Sequence, residues 1–306
     1  MFASLALLAL VPAITPVVGG PFVLDLVMRA VILAIAAVSL NLVLGFGGMI
    51  SFGHAAYIGI GAYSMGIPAY YGINDGLVQL LVTVAACGVF ALLTGLVCLR
   101  TRGVYFIMIT LAFAQMVYYA MVSISEYGAD DGLVIYRRSE FPFALDLDNR
   151  AMLYYVCLGI LVATLWLVHR IVNSRFGLVI RGSAGNDARL RSLGIPTFRY
   201  RLACYVVAGM LCGLAGWLLA NFTTYISPEM MAWTRSGELI FMVVLGGAGS
   251  LFGPVLGTAA FIAIEEVLSG ITVYWQLYFG ILLLLVVLFG RGGLHGLIES
   301  LSRRRS

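Results

Sequence analysis

The sequence has 306 residues, of which 62% are hydrophobic and 10% charged, with a formal net charge of +4; soluble domains carry about 25% charged residues, so the chain reads as a membrane protein without a sizeable water-soluble domain. All 18 basic residues are arginine. Without lysine there is neither the phosphate-gripping residue of a P-loop nor an amine for Schiff-base chemistry, so any ATP that drives the chain is hydrolysed by another subunit.

At about 20 residues per span, apolar runs predict helices at about 2–18, 22–44, 50–71, 77–99, 104–124, 151–169, 201–221, 235–249, 252–270 and 272–290. The first lacks a basic region and a small-residue cleavage site, and reads as a retained helix rather than a secretion signal. In the second, Asp25 lies four residues before Arg29, where a helical ion pair lowers the cost of an arginine near the membrane. The eighth is too short for a full span. Its "GGAGSLFG" end is too glycine-rich for continuous helix and suggests a re-entrant segment or a broken helix. The predicted fold is therefore all-α: one transmembrane bundle over 1–306 with about ten spans, or eight if the eighth and ninth segments form a re-entrant hairpin.

Orientation follows from charge. The segment 170–201 holds seven arginines against Asp187 alone, a net of +6, and belongs in the cytoplasm. The segment 125–150 holds six acids against Arg137, Arg138 and Arg150, a net of −3, and belongs outside. Arg100, Arg102 and the tail Arg303, Arg304 and Arg305 fit the same scheme, which places both termini in the cytoplasm.

Two stretches repeat a pattern. "VLGFGGMISFG" (Val43–Gly53) and "VLGGAGSLFG" (Val244–Gly253) each run from an apolar helix end through a glycine cluster and a serine to another glycine. Interrupted segments in matching positions of two halves point to a transport pathway. Close helix packing is the other reading, with Gly249, Gly253 and Gly257, or Gly209 and Gly213, at four-residue spacing. The polar residues near these elements are Asn41, Ser51, His54, Gln115 and Glu238, the candidate pathway residues. For His54 at a helix start, the simplest expectation is a ring hydrogen-bonded to backbone at that end. Glu238 costs about 2.5–3.5 kcal/mol inside a span and little at the interface. The five cysteines, Cys87, Cys98, Cys157, Cys204 and Cys212, form no C-x-x-C pair and read as small packing residues.

The segment "SRFGLVIRGSAGNDARLRSLGIP" (Ser174–Pro196) predicts a helix of about ten residues, with Ser183 as cap, Ala184 as first residue, Gly194 as terminator and Pro196 as block. Helices shorter than about 12–15 residues are marginal in water, so this one needs a surface to pack on. Its small residues Ala184, Gly185 and Ala188, and its lack of an aromatic wedge, favour a protein groove over the bilayer.

At this segment the sequence resembles bacterial ABC-importer permeases of the branched-chain amino-acid type, the LivM and LivH families, and is closer to LivM. The resemblance extends to "LNLVLGFGGMISFGHAAYIGIGAY", "DGL" at Asp131–Leu133, "ISPEMM" and "ELIFMVVLGGAGSLFGPVLG", in order from about 38 to 290. It implies a multi-pass bacterial inner-membrane permease domain that translocates a branched-chain or related amino acid. The implied partners are a second homologous permease, two cytoplasmic ATPases that bind ATP and magnesium, and a periplasmic binding protein. No cofactor on this chain, no nucleic acid and no enzymatic activity of its own are implied. The ATPase-coupling residues would be Arg175, Gly177, Arg181, Asn186, Ala188, Leu193 and Gly194, within a cytoplasmic loop 170–200. The sequence departs from the family at "YGADDGL" (Tyr127–Leu133), where "TGGxDGL" is usual, and at Asp187, where Glu often follows Asn. The first departure leaves urea, short amides and aromatic acids as alternative substrates.

Two other classes compete. An ion-coupled transporter needs a buried acid or histidine relay, for which the spans offer His54 and Glu238. An intramembrane enzyme needs converging catalytic groups, and His54, His169 and His295 are scattered along the chain.

Overall fold

The computed structural model describes residues 8, 11–12, 20–141, 147–289, 293–294 and 296. Apart from positions 8, 11 and 12, the predicted first helix lies outside these residues, as do His295 and the arginine tail. The helices are α1 (Gly20–Asn41), which runs into a π-turn (Leu42–Phe46), α2 (His54–Tyr70), α3 (Gly76–Cys98), α4 (Val104–Val122), α5 (Arg150–Val172), α6 (Arg175–Ser192), α7 (Thr197–Thr223), α8 (Trp233–Gly246), α9 (Gly253–Ile271) and α10 (Trp275–Phe289). The protein is an all-α membrane bundle. Six helical stretches among the described residues are long and apolar enough to cross a bilayer: Phe22–Phe46, Gly76–Cys98, Val104–Val122, Arg150–Val172, Thr197–Thr223 and Gly253–Ile271. The fourteen residues of α8 reach about 21 Å at 1.5 Å each, short of a hydrocarbon core of about 30 Å.

Helix α2 is apolar on every side and buried at almost every position from His54 to Gly66, which puts it at the centre of the bundle. Its closest neighbour is α7, and the approach is backbone to backbone. A Cβ on Gly61 would overlap the Gly213 carbonyl, and one on Gly216 would overlap the Ile58 carbonyl. Lipid tails give apolar helices no reason to desert them, so such contact between small residues is what holds membrane helices together. All five cysteines are buried and unbridged. The thiols of Cys87, Cys204 and Cys212 donate to the carbonyls of Tyr57, Leu42 and His54, in keeping with a packing role. Outward-facing side chains such as Leu81, Leu93 and Tyr105 give α3 and α4 an apolar exterior suited to lipid or another membrane protein.

One end of the bundle carries the Arg100–Arg102 turn and α6; we call it the arginine face. The other carries the loop between α4 and α5. There β1 (Leu133–Val134) pairs antiparallel with β2 (Tyr225–Ile226), the stretch that leads into α8. Two ion pairs near this end differ from the sequence expectation. Asp25 does not pair along the helix with Arg29; it meets Arg150 Nη1 at 2.9 Å, while Arg29 Nη2 reaches Glu265 on α9 at 3.1 Å. The i,i+4 spacing allowed the local pair, but packing brought each side chain a partner from another helix.

In the same loop Ala129 adopts φ +45° between Gly128 (φ +85°) and Gly132 (φ +78°). A left-handed conformation costs a non-glycine residue about 1–2 kcal/mol. Ala129→Gly should therefore raise stability by up to about 1 kcal/mol, because relief of strain outweighs the 0.4–1 kcal/mol or so of added unfolded-chain entropy. Thermal unfolding of the detergent-purified protein checks the sign: a lower midpoint would refute the account.

Candidate functional site

The arginine-rich segment folds as a longer and more structured element than a ten-residue helix. Its cap is Ser174, whose Oγ accepts from Gly177 N–H at 3.4 Å. The expected cap, Ser183, lies inside α6 and donates to the Ile180 carbonyl at 2.8 Å. Gly177 is needed where the chain turns from α5, since a Cβ there would strike the Val172 and Ile171 carbonyls. Arg181 Nη2 donates to that same Val172 carbonyl at 3.1 Å and ties the new helix back to the old one.

At Asn186 the helix breaks, with φ −152° and ψ 94°. The Asn186 side chain then caps the second piece, its Oδ1 accepting from Arg189 N–H at 3.0 Å. The result is a bent lever whose short arm ends at Gly194, in the left-handed region at φ +79°. Ala188 and Leu193 on the short arm are exposed, Leu193 at 70%, as is Arg175 at the start of the long arm. Asp187 is buried and accepts from Arg102 of the α3–α4 turn and from Arg191 at 3.0 Å, so the bend is clamped to the bundle. Nothing in the local sequence marks this clamp, because its arginine comes from 85 residues away.

The two glycine elements meet. Asn41, at the end of α1, donates from Nδ2 to the Ser250 carbonyl at 2.8 Å and accepts at Oδ1 from Gly249 N–H at 3.0 Å. Gly45, in the π-turn, has no room for a Cβ against Gly249 N and Asn41 Oδ1. Residues 247–252 are thus the tip of an α8–α9 hairpin seated on the end of α1. The π-turn itself is a rare geometry that recurs at functional sites. Three residues beyond Gly45, Gly48 (φ +63°) faces the lever: a Cβ there would lie 3.0 Å from the Cβ of Ala184. Hairpin tip, π-turn and lever form one continuous chain of contacts.

The remaining candidate residues divide. Ser51 Oγ accepts from Gly53 N–H at 3.3 Å, and Ser236 of α8 and Thr110 of α4 accept from Ala55 and Phe52 N–H at 3.0 and 3.2 Å. These hydroxyls satisfy the start of α2. His54 is completely buried, but its ring does not bond to backbone as expected; neither nitrogen has a hydrogen-bond partner among the described residues, and its neighbours are the rings of Tyr57 and Tyr205, with centroids 5.6 and 6.4 Å away. Gln115 is half-buried on α4 and makes no hydrogen bond among the described residues. Glu238 lies in the second turn of α8, toward the loop end, and accepts from Arg235 Nη1 at 3.0 Å. The hydroxyls of Thr110 and Ser236 were missed because single hydroxyls in apolar runs are common and only the fold aims them.

Residues 22–289 match the family described as "Branched-chain amino acid transport system / permease component". The chain belongs to this family. Similar proteins include the high-affinity branched-chain amino acid transport system permease protein LivM of Salmonella typhimurium, 27% identical over 301 residues, which cover 88% of this chain and 69% of that one. Its Escherichia coli counterpart is 26% identical over 321 residues, covering 94% and 74% of the two chains. A probable LivM of Methanocaldococcus jannaschii is 29% identical over 143 residues, 41% of each. No solved structure matches. The protein is thus a multi-pass membrane permease of the LivM-like ABC-importer type, a transporter component. The lever, the π-turn and the hairpin all fall within the matched residues, so the site described above belongs to the permease domain itself.

Proposed function

We propose that this permease carries branched-chain or closely related aliphatic amino acids across a bacterial inner membrane, and that it is pushed from its arginine face by cytoplasmic ATPases. A second permease subunit completes the pathway, and a periplasmic binding protein delivers the solute to the opposite face. ATP and magnesium belong to the ATPases. Both termini of the chain are cytoplasmic in this reading.

The observation that carries the proposal is the bent lever and what it touches. Gly177 and Arg181 fix its long arm to α5, Arg175 is exposed at the start of that arm, Asn186 sets the bend, and Ala188, Leu193 and Gly194 form an exposed short arm for an ATPase groove. When the groove moves, Ala184 moves against Gly48, and the displacement reaches the hairpin tip through the π-turn. Changing Asn186 to Arg removes the cap, worth about 1 kcal/mol to the short arm. Changing Leu193 to Glu removes the most exposed apolar side chain of the short arm and adds charge. Each should reduce co-purification of the ATPases about tenfold, the effect of roughly 1.4 kcal/mol on docking. Undiminished association in both variants would refute the docking role.

An ion-coupled transporter is less well supported. Its relay would draw on Glu238 or His54; Glu238 is engaged by Arg235, and His54 has no acidic partner among the described residues. Uptake driven by a proton or sodium gradient, in vesicles without ATPases, would reverse this preference.

A further inference from the structure

At the loop end of the bundle a cavity of about 180 Å³ opens between α1, α2, α7 and α8. Its wall is of two kinds. Leu33, Ile58, Leu219, Leu239 and Met242 make one part aliphatic, while Arg29, Arg235 and Glu238 make another part charged. The charges stand side by side: Arg235 Nη1 is 3.0 Å from Glu238 Oε2, and Arg29 Nη2 is 3.1 Å from Glu265 Oε1. Glu229 lies 3.5 Å from the other terminal nitrogen of Arg235.

Removing ion pairs from water costs desolvation energy, and pairs left beside a cavity keep their spare donors and acceptors available to a ligand. These remain open to the cavity, with Arg29, Arg235 and Glu238 side chains 36%, 40% and 29% exposed. Each guanidinium has five N–H donors, more than its carboxylate partners occupy. Ionisable groups within membrane helices are most often functional, and the Arg29–Glu265 pair joins two helices of membrane-crossing length. The space is small: at about 30 Å³ for each water it holds about six, below the 300–1,000 Å³ or so of pockets for larger ligands.

A cation and an anion in contact, within reach of a short aliphatic wall, complement a molecule that joins a carboxylate to an ammonium and carries an aliphatic tail. We infer that this cavity is the solute site of the permease and takes a zwitterionic aliphatic α-amino acid, its carboxylate on Arg235, its ammonium on Glu238, and its side chain against Leu33, Ile58 and Leu239. The assignment of ligand class rests on the transport function proposed above; the location of the site rests on the geometry alone. The cavity lies at the end of α8 opposite the hairpin tip. Movement of the tip therefore changes the spacing of Arg235 and Glu238 relative to α1 and α7, which is what alternating capture and release needs.

The test uses the assembled importer in membrane vesicles, with L-leucine as probe. Thr223, exposed at the cavity wall, is changed to Cys in an otherwise native background; the five native cysteines are buried, which keeps unspecific labelling low. L-leucine should slow the reaction of this thiol with N-ethylmaleimide about threefold once its concentration reaches twice its Kd. Isocaproate and isoamylamine keep the aliphatic tail and one charge each, and should give no protection. Adding Glu238→Gln should abolish protection and lower L-leucine uptake about tenfold or more, the loss of one charged hydrogen bond, while ATPases still co-purify. Wild-type vesicles that take up no L-leucine would overturn the transported class and the assigned ligand together. If the wild type takes it up, but the Thr223→Cys thiol is unprotected or Glu238→Gln transports within twofold of native, the cavity is not the site and the transport function stands. Should Glu238→Gln fail to assemble, the labelling result in the native background decides.

Discussion

Gly45→Val is expected to abolish uptake while leaving ATPase association intact. The added side chain has no space against Gly249 N and the Asn41 amide, so the hairpin tip must leave the end of α1. With it go the two hydrogen bonds of Asn41, to the Ser250 carbonyl and from Gly249 N–H. Each is worth about 0.5–1.5 kcal/mol, and overpacking adds about 1–3 kcal/mol. The summed effect, about 2–6 kcal/mol, favours a displaced hairpin. The short arm of the lever lies beyond this contact and keeps its cap, so co-purification of ATPases should persist. Asn41→Leu separates the causes, since it removes the hydrogen bonds without placing atoms at position 45. Uptake that survives Gly45→Val would show that the two glycine elements can part without consequence.

Gly216→Val is expected to prevent accumulation of folded protein. Here the obstacle is the Ile58 carbonyl, which belongs to the most buried helix of the bundle and has no rotamer to change. Separating α2 from α7 would also open the facing contact of Gly61 with Gly213. A cost at or above the upper end of the roughly 1–3 kcal/mol usual for overpacking follows, because backbone cannot yield as a side chain can. The readout is the yield of monodisperse protein in detergent. Gly159→Ala on α5 is the control: a Cβ there meets nothing within 4 Å, and alanine favours helix by up to about 1 kcal/mol over glycine. Equal yields of native and Gly216→Val protein would refute the packing account.

Much of the fold was legible because a bilayer leaves the chain few options. The runs at 104–124 and 252–270 became Val104–Val122 and Gly253–Ile271, since length and hydropathy alone specify a membrane helix. The paired glycine elements were also visible, as was the point at which the eighth run stops being helix: α8 ends at Gly246, inside its glycine-rich end. Which residue faces which was not legible. Asp25 and Arg29 had suitable local spacing, yet both found long-range partners. Helix α6 starts nine residues before the expected position because Ser174 and Ser183 are equally good caps by composition, and only the packing of Gly177 under α5 chooses between them. Of the charged wall of the cavity, reading residues one at a time found only Glu238; Arg235 joins it from the same helix and Arg29 from α1, where it pairs with Glu265 of α9.

The π-turn and the loop that follows it make contacts on two sides within four residues, Gly45 toward the hairpin and Gly48 toward Ala184. Under the proposed coupling, input and output share a single fulcrum, with one four-residue stretch carrying the two contacts. Slippage between fuel use and cargo movement should then be governed by this short stretch. Damage elsewhere in the bundle would lower the number of working transporters, while the ATP consumed per molecule imported would stay the same.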